Sequence, residues 1–125
     1  MHATPSIGII GCGAIAEAHL SAYLANSAQI TAVSDVSLER AEALAAKAGK
    51  PSVYIDYLEL LDSGKVDAIS ICTPPHLHRE IVIAALQRGI HILCEKPLAG
   101  TLEDAQAMVE AAATSSALFQ IVNGR

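Results

Sequence analysis

Residues 6–16 read Ser6-Ile7-Gly8-Ile9-Ile10-Gly11-Cys12-Gly13-Ala14-Ile15-Ala16, and this stretch decides the fold class. Ser6–Gly11 is a short run rich in β-branched side chains that ends in glycine, the pattern of a buried strand. Gly11 to Ala16 is a G-x-G-x-x-A sequence set where strand gives way to helix, the context that a dinucleotide fingerprint requires. Gly11 permits a tight turn. Gly13 has no Cβ, so a pyrophosphate can approach the backbone there. Ala16 is small enough for the helix to lie close to the sheet. Together with Cys12, Ala14 and Ile15, the two glycines present N–H groups at a helix start, where the dipole attracts phosphate. A plain strand–helix turn uses the same glycines; the flanking strand and helix favour the ligand-binding reading.

Outward from this turn the chain alternates. Ala14–Asn26 reads as a helix with Ile15, His19, Ala22 and Tyr23 on related faces, and Gln29–Ser34 as a second strand. Ser37 is the predicted N-cap of a helix over Leu38–Ala48, with Leu38, Ala41, Ala45 and Ala48 on one side; Gly49 and Pro51 end it. Val53–Ile55 is a short third strand. Asp56 and Glu59 resemble a capping box that starts a helix through Leu61, and Asp67–Cys72 is a fourth strand. Pro74 and Pro75 break the chain before a helix over Leu77–Arg88, which Gly89 stops. Ile90–Cys94 is the fifth strand. Thr101 with Asp104 opens a helix carried by Leu102, Ala105, Val109 and Ala112, and Leu118–Val122 is the sixth strand. Strands alternating with helices pair in parallel through helical crossovers. The expectation is a single domain over residues 1–125: a doubly wound, three-layer α/β/α fold of Rossmann type with strand order 3-2-1-4-5-6.

Composition excludes several alternatives. Hydrophobic residues make up 52% of the chain and charged ones 17%, which is not the balance of a disordered protein. Eight Lys and Arg stand against 13 Asp and Glu, for a net charge of −5, and the basic residues are scattered. Neither nucleic acid nor an anionic membrane surface is an expected partner. The uncharged stretch over residues 18–34 is interrupted by His19, Asn26 and Gln29, so no membrane span is expected. No basic segment precedes Ile7–Ile10, and the expected location is the cytoplasm, with Cys12, Cys72 and Cys94 reduced. Their spacing offers no metal site.

Asp35 ends the second strand 22 residues after Gly13, close to the roughly 20 at which a ribose-binding acid is expected. A carboxylate there accepts from ribose hydroxyls and repels a 2′-phosphate, which favours NAD over NADP. A turn or capping acid before Ser37 is the other role open to it. Arg40 is placed either to meet a 2′-phosphate or to be solvated on a helical turn.

The second half carries more specific features. Gly11–Gly13, Thr73–Pro74 and Glu95–Lys96 all fall at strand C-termini, where ligands of such sheets bind, and are expected to line one cleft. Thr73 supplies a hydroxyl for the cofactor, Glu95 can accept from a nicotinamide ribose, and Lys96 can donate to a substrate oxygen and polarise it. Bland roles stay open beside these: Thr73 as a turn residue, His78 as a brace for its helix, and Glu95-Lys96 as a surface ion pair. His76 reads as solvated, and His91 has no visible partner.

Residues 66–105, VDAISICTPPHLHREIVIAALQRGIHILCEKPLAGTLEDA, resemble the N-terminal domain of the Gfo/Idh/MocA oxidoreductases, which include glucose–fructose oxidoreductase, inositol dehydrogenase and related sugar dehydrogenases. The matching features are Thr73-Pro74 followed by His78, then Glu95-Lys96-Pro97. The early G-x-G-x-x-A, Asp35 and the Asn123-Gly124-Arg125 close also agree, so the resemblance spans essentially the whole chain. It implies NAD bound by Gly11, Cys12, Gly13, Ala14, Ile15, Asp35, Thr73, Pro74, His78, Glu95, Lys96 and Asn123, with Lys96 also catalytic and a sugar or polyol as substrate.

Members of that family are more than twice this length and carry a second α/β domain with the substrate floor and an Asp/His motif. The expectation is therefore a cofactor-binding domain without that partner domain, one that binds NAD without turnover. A non-catalytic NAD sensor or an inactive fragment is the alternative. Surface left uncovered, with the uncharged ALFQIV segment (117–122) as an exposed edge, predicts self-association.

Overall fold

Strand and helix alternate along residues 4–122, which the computed structural model describes. The strands are β1 (Ser6–Ile10), β2 (Gln29–Ser34), β3 (Ser52–Tyr54), β4 (Ala68–Ile71), β5 (His91–Cys94) and β6 (Phe119–Ile121). The helices are α1 (Ala14–Ala25), α2 (Leu38–Lys47), α3 (Tyr57–Leu61), α4 (His78–Gln87) and α5 (Leu102–Ala113), with a 3-10 turn at Pro75–Leu77 before α4. Among the described residues the strands form one six-stranded sheet in the order β3-β2-β1-β4-β5-β6. Every pairing is parallel, so this is the doubly wound Rossmann-type sheet that the alternation demands.

Successive strand residues point to opposite faces, and each face has its own core. Ile7 and Ile9 of β1 pack with Ala16 and Leu20 of α1 and Ala41, Leu44 and Ala45 of α2. On the other face Ile69 and Ile71 of β4 and Ile92 of β5 pack with Leu60, Ile81, Val82 and Met108 of α3, α4 and α5. Three layers follow. Side chains of Ser37, Asp56 and Thr101 accept the N–H groups of Arg40, Leu58 and Asp104, capping α2, α3 and α5, as polar residues ahead of an apolar periodic run should.

Several helix faces differ from the sequence expectation. α1 turns Ala16, His19, Leu20 and Tyr23 to the sheet, while Ile15 is 44% exposed and Ala22 also faces out. In α2, Ala41, Ala45 and Ala48 are buried as expected but Leu38 is exposed. In α5 Met108 is buried, whereas Leu102 and Val109 are 76% and 59% exposed. The cause is common to all three. These helices are rich in alanine, so more than one stripe satisfies the 3.6-residue period, and the one that packs closest to its neighbour is chosen by tertiary fit. β3 begins one residue earlier than expected. His91 does have a partner: its Nδ1 accepts the Leu118 N–H at 2.9 Å, tying β5 to the start of β6. No described helix is long and apolar enough to cross a membrane.

Candidate functional site

The carboxyl ends of β1, β2 and β4 enclose a cavity of about 460 Å³. Its floor is the turn after β1. Gly11 has φ +91°, and a Cβ there would stand 2.8 Å from the Cys72 carbonyl carbon and 2.9 Å from the Thr73 nitrogen. Only glycine lets the β1 turn press on the end of β4 this closely. Gly13 faces the opposite way: a Cβ would meet nothing within 4 Å, so its backbone is open on the side where a ligand enters. α1 begins here without any side-chain cap. The N–H groups of its first turn, at Ala14 and Ile15, are therefore presented as a helix N-terminus presents them to an anion.

Cys12 contributes in a different manner from its neighbours. Its N–H donates to Asp35 Oδ2 at 2.8 Å and its thiol to the Ser34 carbonyl at 3.2 Å. It lines the cavity, but its backbone donor is committed to the acid rather than offered to a phosphate. Burial, reinforced by the Asp35 charge, pushes its thiol up to about 12.

Asp35 lies at the tip of β2 with its side chain almost fully buried. Oδ1 accepts from the Ser37 N–H at 2.8 Å and from Arg40 Nη2 at 3.0 Å; Oδ2 accepts from Cys12 and from Arg40 Nε at 3.3 Å. Burial alone would raise the carboxyl, but the Arg40 bonds and the Ser37 and Cys12 amides outweigh it and hold it below its ordinary value. The turn role is thus filled, with Asp35 organising the turn before α2, and the acid also stands at the wall of the cavity. Arg40 is not merely solvated. It lines the same wall and grips the acid.

Thr73 and Pro74 follow β4 and line the cavity. Thr73 Oγ1 is buried and has no hydrogen-bond partner among the described residues, which for a hydroxyl costs about 1–3 kcal/mol. His78 takes the bracing role and not the contact expected of it. Its ring is fully buried, with Nε2 2.8 Å from the Thr73 carbonyl and Nδ1 2.9 Å from the Leu98 carbonyl. It clasps the loop after β4 to the loop after β5 and is not among the residues that line the cavity.

Glu95 and Lys96 follow β5, and Lys96-Pro97 is a cis peptide. Lys96 is exposed. Glu95 is not half of a simple surface pair, because its side chain turns inward to His19 of α1, with Oε2 2.7 Å from Nε2. Asn123 lies outside the described residues. Sequence reasoning missed the far wall, where Ile55, Tyr57, Leu77 and Glu80 join the cavity. Tyr57 donates to Glu80 Oε2 at 3.0 Å. Only their position just after β3 and after β4, where strand ends converge, could have indicated them.

These residues fit a dinucleotide. An open glycine and an uncapped helix start suit a pyrophosphate, a buried acid borders the sugar-sized end, an apolar wall suits a flat base, and an orphaned threonine hydroxyl is available to a polar ligand group.

A family model described as an oxidoreductase family with an NAD-binding Rossmann fold matches residues 6–122. The D-glucoside 3-dehydrogenase of Escherichia coli (strain K12) is 41% identical over 108 residues, covering 85% of this chain and 31% of that protein. The 1,5-anhydro-D-fructose reductase of Ensifer adhaerens is 42% identical over 106 residues, covering 84% and 32%. Among solved structures, an NAD binding oxidoreductase from Klebsiella pneumoniae superposes with a TM-score of 0.88 at 34% identity, covering 96% of this chain and 34% of that one. A levoglucosan dehydrogenase in complex with NADH does so with a TM-score of 0.89 at 32% identity, covering 95% and 34%. The chain thus spans about a third of the length of the curated relatives it matches.

Proposed function

The chain belongs to the Gfo/Idh/MocA oxidoreductase family, and on that premise we propose that it is the cofactor-binding part of a dehydrogenase that moves hydride between NAD and a hydroxyl-bearing carbon of a sugar or polyol. The observation that carries this reading is the order of strand ends. Gly11 and Gly13 follow β1, Thr73 follows β4 and Glu95-Lys96 follow β5, three neighbours in the sheet. A dinucleotide laid from the Asp35 side across the β1 turn therefore brings its far end toward Lys96.

When bound, the nicotinamide supplies the site that gives or receives hydride. The chain's own groups hold and polarise around it. The N–H groups at Gly13, Ala14 and Ile15 take the pyrophosphate; Asp35 faces the adenine-side ribose; Thr73 and Pro74 wall the middle. Glu95 and Asn123 serve the nicotinamide end. The Lys96 ammonium donates to the substrate oxygen, where its charge stabilises the developing alkoxide. NAD is preferred over NADP, because Asp35 repels a 2′-phosphate and Arg40, the cation beside it in the cavity wall, is already gripped by it. The three free thiols fit a reducing compartment, the cytoplasm.

Turnover needs a base and a substrate pocket besides Lys96. The 125 residues alone are therefore expected to bind NAD and NADH without oxidising a sugar.

Calorimetric titration of NAD and NADP into the 125-residue chain tests the reading. Tighter binding of NAD, with the difference shrinking in Asp35→Ala, is the expected result. Failure of both dinucleotides to bind would sink it. NADH formation from a glucoside or inositol that disappears in Lys96→Ala would overturn the assignment of a binding role alone.

A further inference from the structure

α1 meets the sheet through a polar cluster as well as an apolar one. His19 Nδ1 lies 3.0 Å from Ser70 Oγ, Nε2 lies 2.7 Å from Glu95 Oε2, and the Tyr23 hydroxyl hydrogen-bonds Ser70 Oγ. Ser70, in the middle of β4, is fully buried; the side chains of His19 and Glu95 are 9% and 15% exposed. A carboxylate can only accept, so Nε2 carries a hydrogen toward Glu95. In the neutral ring Nδ1 then accepts from the Ser70 hydroxyl, whose oxygen accepts from Tyr23. Every donor points the same way, and the series ends on one charge.

Docking a helix needs none of this. Ala16 and Leu20 already pack the same face of α1 against β1 and β2, and polar groups at a helix–sheet junction cost stability unless every one is satisfied. The cluster instead has a single terminus, Glu95. The Glu95 backbone is fixed independently, its N–H donating to the Ile71 carbonyl at 3.0 Å. What His19 sets is therefore the direction of the carboxylate.

We propose that His19, backed by Ser70 and Tyr23, is a positioning residue that holds Glu95 Oε2 from behind so that the other carboxylate oxygen meets the ribose at the nicotinamide end of the cofactor. The proposal rests on the dinucleotide reading above. It assigns His19 no contact with cofactor or substrate. It also gives α1 two roles at once, since its N-terminus faces the pyrophosphate while its third turn steers the group that receives the distal ribose.

Calorimetry with ADP and NADH on the 125-residue chain separates these parts, because ADP carries the adenosine and pyrophosphate but not the distal ribose. His19→Leu is expected to leave ADP affinity within about twofold and to weaken NADH about tenfold, the loss typical of one charge-assisted hydrogen bond. His19→Gln, whose amide can donate to Oε2, is expected to recover most of it. Ser70→Ala, a small change that carries the test if His19→Leu fails to fold, should weaken NADH about threefold with ADP unchanged. Equal weakening of ADP and NADH would make the cluster a helix anchor and overturn the proposal, as would unchanged NADH affinity or a glutamine no better than leucine. A parent chain that binds neither ligand overturns the dinucleotide reading itself, and the proposal falls with it.

Discussion

The Cys12 N–H donates to Asp35 Oδ2 at 2.8 Å, so the glycine turn after β1 and the acid that ends β2 form one unit. Asp35 cannot move without releasing a buried amide in the glycine turn. Asp35→Ala is expected to cost about 1–3 kcal/mol, since it orphans the amides of Cys12 and Ser37, besides altering cofactor choice; urea unfolding measures it.

The same carboxyl makes stability depend on acidity. Its folded value lies below the ordinary 3.8, so its contribution is fully present above that ordinary value and is lost as pH falls through the lowered folded value. Melting temperatures recorded from about pH 6 down to about pH 2 should fall for the parent and fall less for Asp35→Asn. Parallel curves would show that Asp35 is not a source of acid sensitivity.

Gly11 and Gly13 predict opposite outcomes for one substitution. Gly11→Ala forces a side chain into positive φ and into the Cys72–Thr73 backbone, with an expected loss of more than about 2 kcal/mol. Gly13→Ala meets no protein atom and is expected to melt within a degree or two of the parent while binding NAD at least tenfold more weakly. Thermal melts and titrations on the two variants read both effects.

Cysteine reactivity is expected to be negligible in the native chain. Burial, with the Asp35 charge beside Cys12 and the Glu95 charge beside Cys94, pushes both thiols up to about 12. Burial raises Cys72 as well, again with Glu95 contributing. The thiolate is the reactive form, so a disulfide reagent at about pH 8 should label the three only as fast as the chain unfolds. Rapid labelling of one thiol without denaturant would contradict this.

β6 is an edge of the sheet, and Leu118 just before it is 72% exposed. Such an uncharged edge favours pairing with a second copy. Light scattering over a concentration series is expected to show mass rising above that of a monomer, and Leu118→Lys to suppress the rise. A constant monomer mass would rule the association out.

Much of the fold and the glycine turn is legible in the chain itself, and the reason is locality. The fingerprint at residues 11–16, the caps Ser37 and Thr101 and the strand alternation depend on neighbours within a few residues, so spacing carries them. Arg40 lies five residues from Asp35, yet the sequence does not show their pairing, because a helical arginine has solvent as an equal partner. It leaves His78 open too, because the carbonyls that face that ring belong to two separate loops. His19 reads only as a face residue: Ser70 and Glu95 stand 51 and 76 positions away, and no periodicity encodes such a meeting. The faces of α1 and α5 mislead because alanine satisfies several stripes at once, leaving the choice to packing.

The central pairing of β1 with β4, Ile7–Ile10 against Ala68–Ile71, makes the molecule divisible. Gly64 sits in a turn with φ +74° and open space around it. A nick there leaves Gly11, Gly13 and Asp35 on one polypeptide and Thr73, Glu95 and Lys96 on the other. α3 stays with the first piece, although Leu60 and Leu61 pack in the core of the second. Neither piece then owns a whole cleft, and a ligand that spans the seam adds its binding free energy to their reassembly by mass action. A nick at Gly64 is thus expected to make reassembly of the two pieces depend on dinucleotide concentration.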